Sequence, residues 1–339
     1  MIYVVLSFLM VSLLLYVLLA GADFGAGIIE LFSSKQNRSD TKKKVYRVIG
    51  PVWEANHIWI IIIVVILWVG FPDFYHVITV YLHIPLTLVL LGITLRGVSF
   101  VFRHYDAFKD KSQILYDWMF RLSSLITPIF LGMTFGSMIS GKILLHPEST
   151  DSFYTTFITP WLNVFSLLVG LFFAALCTFL ASVLLIGESD KNERKRYVLK
   201  ARIANIIVIL IGFLVLCFGF FNDIKFITNF IKNPYAIGLV GLSALLIFPL
   251  TYSIKKATRI KSRFLVGIQV VLILLAAIVA HYPNLLIASD GTVNLIETAS
   301  TPKVIQVLGI SLIIGGAIIL PGLFHLMKSF KMIKILEKS

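Results

Sequence analysis

The chain is 339 residues long and carries a net charge of +13, yet only 14% of it is charged while 58% is hydrophobic, and phenylalanine alone occurs 27 times. So apolar a composition excludes a water-soluble enzyme, and short scattered basic segments in place of one basic surface exclude a nucleic-acid partner. The expected fold class is an all-α polytopic membrane protein.

Apolar runs of about 18 residues or more cross roughly 30 Å of hydrocarbon as helices. In chain order they predict nine spans: residues 2–32, 49–71, 77–102, 114–140, 159–186, 201–221, 235–252, 264–282 and 304–327. A membrane barrel would alternate polar and apolar residues along each strand, and these runs do not. Basic residues stay on the cytoplasmic side, so the loops assign the orientation. Lys35, Arg38, Lys42, Lys43, Lys44 and Arg47 follow the first span, whereas "FPDFYH" after the second has no Lys or Arg. The alternation continues. Arg103, Lys109 and Lys111, then the cluster from Lys191 to Arg202, then Lys255 to Arg263, and finally Lys328, Lys331, Lys334 and Lys338 lie inside. Only Lys142, Lys225, Lys232 and Lys303 lie outside. The predicted N-terminus is outside and the C-terminus cytoplasmic. The first apolar segment lacks a basic n-region and reads as an uncleaved helix, not a signal peptide.

The connections are short, so any chemistry lies within the membrane. The first four spans hold most of the buried ionisable residues and the next four are almost purely apolar. This suggests residues 1–143 as a four-helix bundle with the polar constellation, 144–284 as a second four-helix bundle, and 285–339 as an external loop, a peripheral ninth helix and a cytoplasmic tail. No repeat of motifs relates the halves, and an odd number of spans argues against an inverted-repeat transporter. Cys177 and Cys217 lie in mid-span, forming neither a disulfide framework nor a haem-attachment motif, and read as buried structural thiols.

Asp23, Glu54, Arg96 and Arg121 stand seven to nine residues from the inner ends of the first four spans, roughly 10 to 14 Å above the inner surface at 1.5 Å per residue. Glu30 continues the face of Asp23 toward the cytoplasm and His57 continues that of Glu54 inward. Charge at this depth costs several kcal/mol unless it is paired or hydrated. Two readings follow: a hydrated proton path opening to the cytoplasm, which is preferred, or a static ion-pair lock between helices. Asp117 and Arg121, spaced i, i+4, are a candidate local ion pair. Gly21 with Gly25, and Ala22 with Ala26, form small-xxx-small patterns that predict close helix packing. Glu54 and His57 have Glu-x-x-His spacing, but a di-iron centre needs two copies and only one is present. His83 and His281, near outer ends, read as hydrogen-bonded interface residues more readily than as haem ligands. No metal site is expected.

The segments "GADFGAGIIELF", "GPVWEANHIWIII" and "LRGVSFVFR" resemble the signatures of subunit II of cytochrome bd-type quinol:oxygen oxidases, and the resemblance covers most of the chain. It implies nine helices, arranged as two four-helix bundles plus one, in the plasma membrane of a bacterium. It also implies a subunit I of related fold that binds two b haems and one haem d and receives quinol on a long external loop, and small single-helix accessory subunits in some complexes. Subunit II itself is implied to carry no haem. It contributes to the interface, surrounded by membrane lipid, and to a proton route from the cytoplasm to the oxygen-reducing haem. Carried over by residue, that route implicates Asp23, Glu54 and Arg96, with Trp53, Asn56, His57 and Trp59 flanking. Val101 departs from the pattern, standing where many relatives have an acid, and Glu30 is a candidate substitute. The structural quinone of some members is not assigned by these residues. The rival functions are a secondary transporter with an intramembrane charged site and a purely structural partner subunit.

Overall fold

The computed structural model describes residues 1–50, 53–105, 111–189 and 191–329. Pro51 and Val52 of the second signature segment, and Lys109, Lys331, Lys334 and Lys338 of the basic segments, lie outside the described residues. Among the described residues nine helices are long and apolar enough to cross a membrane. They are α1 (Ile2–Leu31), α2 (Trp53–Gly70), α3 (His83–Tyr105), α4 (Ser112–Ile139), α5 (Val164–Gly187), α6 (Lys191–Phe221), α7 (Pro234–Lys255), α8 (Arg259–His281) and α9 (Pro302–Ser329).

Several boundaries differ from expectation; the sixth span begins at Lys191 and not at residue 201, because the basic run there continues the helix. The second span begins at Trp53, not residue 49, because Lys35–Ile49 is a separate helix on the basic-loop side. Its Val45, Val48 and Ile49 are buried in the same core as Tyr197, Ala201 and Ala204 of α6, so they belong to an amphipathic loop helix. Gly50 closes it, donating to the Tyr46 carbonyl at 2.8 Å, and the Pro51 next in sequence has no amide hydrogen with which to extend the ladder. The third span begins at His83 because Pro72–Tyr81 forms its own helix, with Pro72 in the first turn, where a missing amide hydrogen is tolerated. In α7 the regular helix is interrupted at Leu246.

α1 is the organising element. Its first half packs on α2 and α9, and its second half, Gly21–Leu31, on α4 and α5. α3 packs along α4, α4 along α5, α5 along α6, and α7 along α8. Between the halves of α1 lies a π-helical stretch, Tyr16–Ala20, so the helix is continuous through "GADFGAG". The expected close approach is present: a Cβ on Gly25 would fall on the Cys177 backbone carbonyl, with Ala181 Cβ at 2.8 Å. Cys177 is buried at this seam, while Cys217 is half-buried, less enclosed than expected.

At the end opposite the basic loops, a two-stranded antiparallel ribbon, β1 (Leu286–Ile287) with β2 (Thr292–Val293), is tied to the α4–α5 connection. Asp290 accepts from the amides of Leu145 and His146 at 3.0 and 2.9 Å. Tyr81 donates to the Leu145 carbonyl at 3.0 Å.

Candidate functional site

Two acids seven residues apart on α1 meet two arginines seven residues apart on α3. Arg96 grips Asp23 through both carboxylate oxygens, at 2.8 and 2.7 Å, and donates to the Asp23 carbonyl at 3.1 Å and to Ser124 Oγ at 3.2 Å. Its guanidinium lies over the rings of Phe24 and Phe120 at 5.2 and 4.9 Å. Both side chains are 1% exposed. About two helical turns toward the basic loops, Arg103 donates to both oxygens of Glu30 at 2.8 and 3.0 Å, and this pair is equally buried. Parallel helices with matched seven-residue spacing thus make a two-rung ladder of acid and arginine. Arg103, read from sequence as a loop residue, is in the last turn of α3 and half of one rung. Its signal was available in the shared interval between Asp23 and Glu30 and between Arg96 and Arg103.

The lower rung opens toward the basic-loop side through Asp117. Its carboxylate accepts from Lys42 at 2.7 Å and lies 3.1 Å from Arg103 Nε, with its side chain 24% exposed. The expected Asp117–Arg121 pair takes another form. Arg121 Nε donates to the Asp117 backbone carbonyl at 2.7 Å and approaches Glu30 at 3.8 Å, while the Asp117 carboxylate goes to Lys42 and Arg103. On a helix the i−4 carbonyl is nearer to an inward-turned arginine than the i−4 side chain, which here leans to the surface. Lys42, from the loop helix, was not expected at the site at all.

The second signature segment divides across two faces. Trp53 packs against Phe100, ring centroids 5.3 Å apart, and above Gly97, which sets this turn between the Arg96 and Arg103 rungs. His57 is level with α1 residues of the upper rung, its ring 6.4 Å from Tyr16 and 6.0 Å from Phe24. Asn56 and Trp59 are buried, the latter in a cluster with Tyr16, Ala20, Phe24 and Cys177. Tyr16 Oη, His57 Nδ1 and Trp59 Nε1 are buried with no hydrogen-bond partner among the described residues. Glu54, by contrast, is exposed on the outer face of α2 and makes no ion pair with the described residues. The expected inward-facing acid is therefore turned away from Asp23 and Arg96, because the buried side of the turn is taken by Asn56 and Trp59.

Val101 lies exposed on the surface of α3, while Glu30 is buried in its rung with Arg103. Of the outer-end histidines, His83 has Nδ1 2.8 Å from the Val80 carbonyl, and His281 stacks on Phe226 at 3.8 Å.

The chain matches the family described as cytochrome bd terminal oxidase subunit II over residues 1–330. It belongs to that family. Among curated relatives it is similar to the cytochrome bd ubiquinol oxidase subunit 2 of Bacillus subtilis, 29% identical over 197 residues, with 56% of each chain covered. The cytochrome bd-I ubiquinol oxidase subunit 2 of Escherichia coli is 27% identical over 151 residues, 44% of this chain and 39% of that protein. The matched region thus spans about half the length of these relatives or less. In fold it resembles the bd oxidase from Geobacillus thermodenitrificans, with a TM-score of 0.76 at 18% identity over 97% of this chain and 98% of that one. This subunit II is a multi-pass membrane protein of a bacterial type, with its two buried acid–arginine pairs between α1 and α3.

Proposed function

We propose that this chain is the non-haem subunit of a membrane complex that oxidises quinol and reduces O2 to water, and that it contributes a proton-uptake path from the cytoplasm toward a haem site on its partner. The B. subtilis and E. coli relatives are named as ubiquinol oxidase subunits, and membership of their family favours this reading over a transporter. In it the N-terminus is outside and the C-terminus cytoplasmic, and residues 1–143 and 144–284 act as two helical groups flanked by α9. The partner, subunit I, carries two b haems and haem d and receives the quinol, with small accessory subunits and a structural quinone as further members of the assembly.

The observation that carries the reading is Glu54. A carboxylate at membrane depth that faces outward, without a counter-charge among the described residues of its own chain, costs several kcal/mol against lipid and calls for a polar protein surface opposite it. Glu54 is therefore taken as the group that passes protons to the partner, His57 as its inner neighbour, and Asp117 with Glu30 as the mouth. The Asp23–Arg96 rung has a different role in this reading. Asp23 and Glu30 are each held through both oxygens by a buried guanidinium, but Glu30 is linked through Arg103 to the part-exposed Asp117, whereas the Asp23–Arg96 rung is a fixed counter-charge that clamps α1 to α3 while the path runs beside it.

The test is Glu54→Gln in the purified complex, which keeps an amide of the same shape and removes the titratable group. Turnover per haem and proton uptake should fall at least tenfold while haem content and yield stay normal. Normal turnover and uptake would make Glu54 a packing residue. Absence of haem from the purified complex would overturn the oxidase reading itself.

A further inference from the structure

The second bundle, which the proposed function leaves without a role, carries a basic hollow where the start of α6 meets the end of α7. Its volume is about 340 Å³, and Arg194, Lys195, Arg202 and Lys255 line it together with Val198 and Leu199. No acid lines it. Arg194, Val198 and Arg202 follow one another at i, i+4 intervals, as do Lys195 and Leu199, so one stripe of α6 supplies most of the wall.

Four cations in one hollow repel one another, and their neighbours do not neutralise them. The nearby Glu193 is engaged by Lys44 and Arg196, and Glu188 by Arg263 at 2.9 Å. Among the described residues none of the four lining cations has a carboxylate partner. Among the described residues the buried Nε atoms of Arg194 and Arg202 have no hydrogen-bond acceptor, an arrangement that asks for an anion with several oxygens. Beyond the hollow, α6 leads into the membrane with an uninterrupted apolar surface: Leu199, Ile206, Leu210 and Phe213 are all more than half exposed. A cationic cup at the basic-loop end, continued by an exposed apolar stripe, matches the two ends of a lipid. A soluble phosphate compound would use the cup alone.

We propose that this hollow is a binding site for an anionic phospholipid of the leaflet on the basic-loop side. The phosphate sits among Arg194, Lys195, Arg202 and Lys255, and the acyl chains lie along Leu199, Ile206, Leu210 and Phe213. Arg202, the deepest of the four, reaches back along the helix to the headgroup level, as long basic side chains do at membrane edges. The net negative headgroup is selected because nothing in the wall would meet the positive amine of a zwitterionic one. The site is independent of the proton path and of the oxidase reading.

The experiment uses the protein with whatever subunits accompany it from the membrane, and measures lipid retention by native mass spectrometry and the thermal midpoint during lipid titration. Phosphatidylglycerol should be retained and should raise the midpoint, whereas phosphatidylcholine with the same acyl chains should do neither. The double variant R202Q/K255Q removes two charges that make no ion pair among the described residues, and it should weaken phosphatidylglycerol binding about 30-fold, roughly fivefold per basic residue at a membrane surface. Leu199→Gln should weaken the lipid without altering the response to inorganic phosphate, and Lys225→Gln at the opposite end should change nothing. Equal binding of the two lipids, or unaltered phosphatidylglycerol binding in R202Q/K255Q, would overturn the proposal. Full displacement of the lipid by millimolar inorganic phosphate would overturn the lipid source and leave a simple phosphate site. If the double variant fails to assemble, the single Lys255→Gln at the rim must still show its fivefold loss for the proposal to stand.

Discussion

Arg96 brings five N–H donors into the membrane and finds acceptors for four contacts within its own chain: two carboxylate oxygens, one carbonyl and one hydroxyl. Removing either half of such a buried pair leaves the other charge uncompensated, at a cost of about 3–5 kcal/mol. Asp23→Asn and Arg96→Leu should therefore lower the yield of assembled complex and its thermal midpoint first, with near-normal turnover in whatever complex survives. Normal yield with lost turnover would instead place Asp23 in the proton path. At the opposite end of the molecule, Asp290 is the group whose titration matters to stability. Burial pushes its carboxyl up, but the amides of Leu145 and His146 and the His146 ring outweigh this and hold it below the usual value. A depressed folded-state pKa contributes stability above the unfolded value, about 3.9, and loses it as pH falls through the folded value. Amide exchange at residues 143–146 and 286–293 should therefore accelerate as pH is lowered below about 4, beyond the intrinsic rate change, and Asp290→Asn should show that faster exchange already at neutral pH.

Between elements, shape decides more than hydrophobicity, because lipid is as apolar as the helices it surrounds. Gly25 is where α1 and α5 come closest, and Gly25→Ala places a methyl on the Cys177 backbone carbonyl, which cannot swing aside. The helices must separate, and destabilisation of about 1–3 kcal/mol or more is expected. A methyl on Gly238 of α7 would meet nothing within 4 Å, so Gly238→Ala should be neutral or slightly stabilising through helix propensity. Thermal unfolding of the two variants side by side checks the pair, and equal midpoints would refute the close-packing account. The small-xxx-small spacing of Gly21 and Gly25 was legible in sequence, but its partner on α5 was not, since Cys177 and Ala181 are ordinary apolar positions there. Likewise the run from Val45 to Ile49 reads as the start of a span by composition alone. Only the packing of its apolar side into the core shared with the second half of α1 and with α6 makes it part of a loop helix.

For the whole molecule, the distribution of lysine and arginine makes a directional claim that surface labelling can check. In the proposed orientation Asn37→Cys lies on the cytoplasmic side and Ser152→Cys outside, and both positions are exposed or nearly so. A membrane-impermeant thiol reagent applied to intact cells should modify the second and spare the first until the membrane is opened. The reverse pattern would invert the topology. The native Cys177 and Cys217 lie within spans and should stay unlabelled in both experiments.

Composition and periodicity were sufficient for the class of fold, the number of spans and the basic side, because the demand that every backbone amide be satisfied within lipid leaves a long apolar run no alternative to helix. They also located the ionisable residues along their helices, since a helix rises a fixed distance per residue, but not their level: Arg121 lies beside Glu30, one rung below Asp23 and Arg96. Direction about the helix axis was another matter. Whether Glu54 faced Arg96 or looked outward, whether Arg103 was a loop cation or half of a buried rung, and whether Asp117 served Arg121 or Lys42 depended on which neighbour occupied each face. That is settled by side-chain volume and charge contributed from residues far away in the chain, such as Trp59, Ser124 and Lys42, and only the tertiary structure brings them to the place where the choice is made.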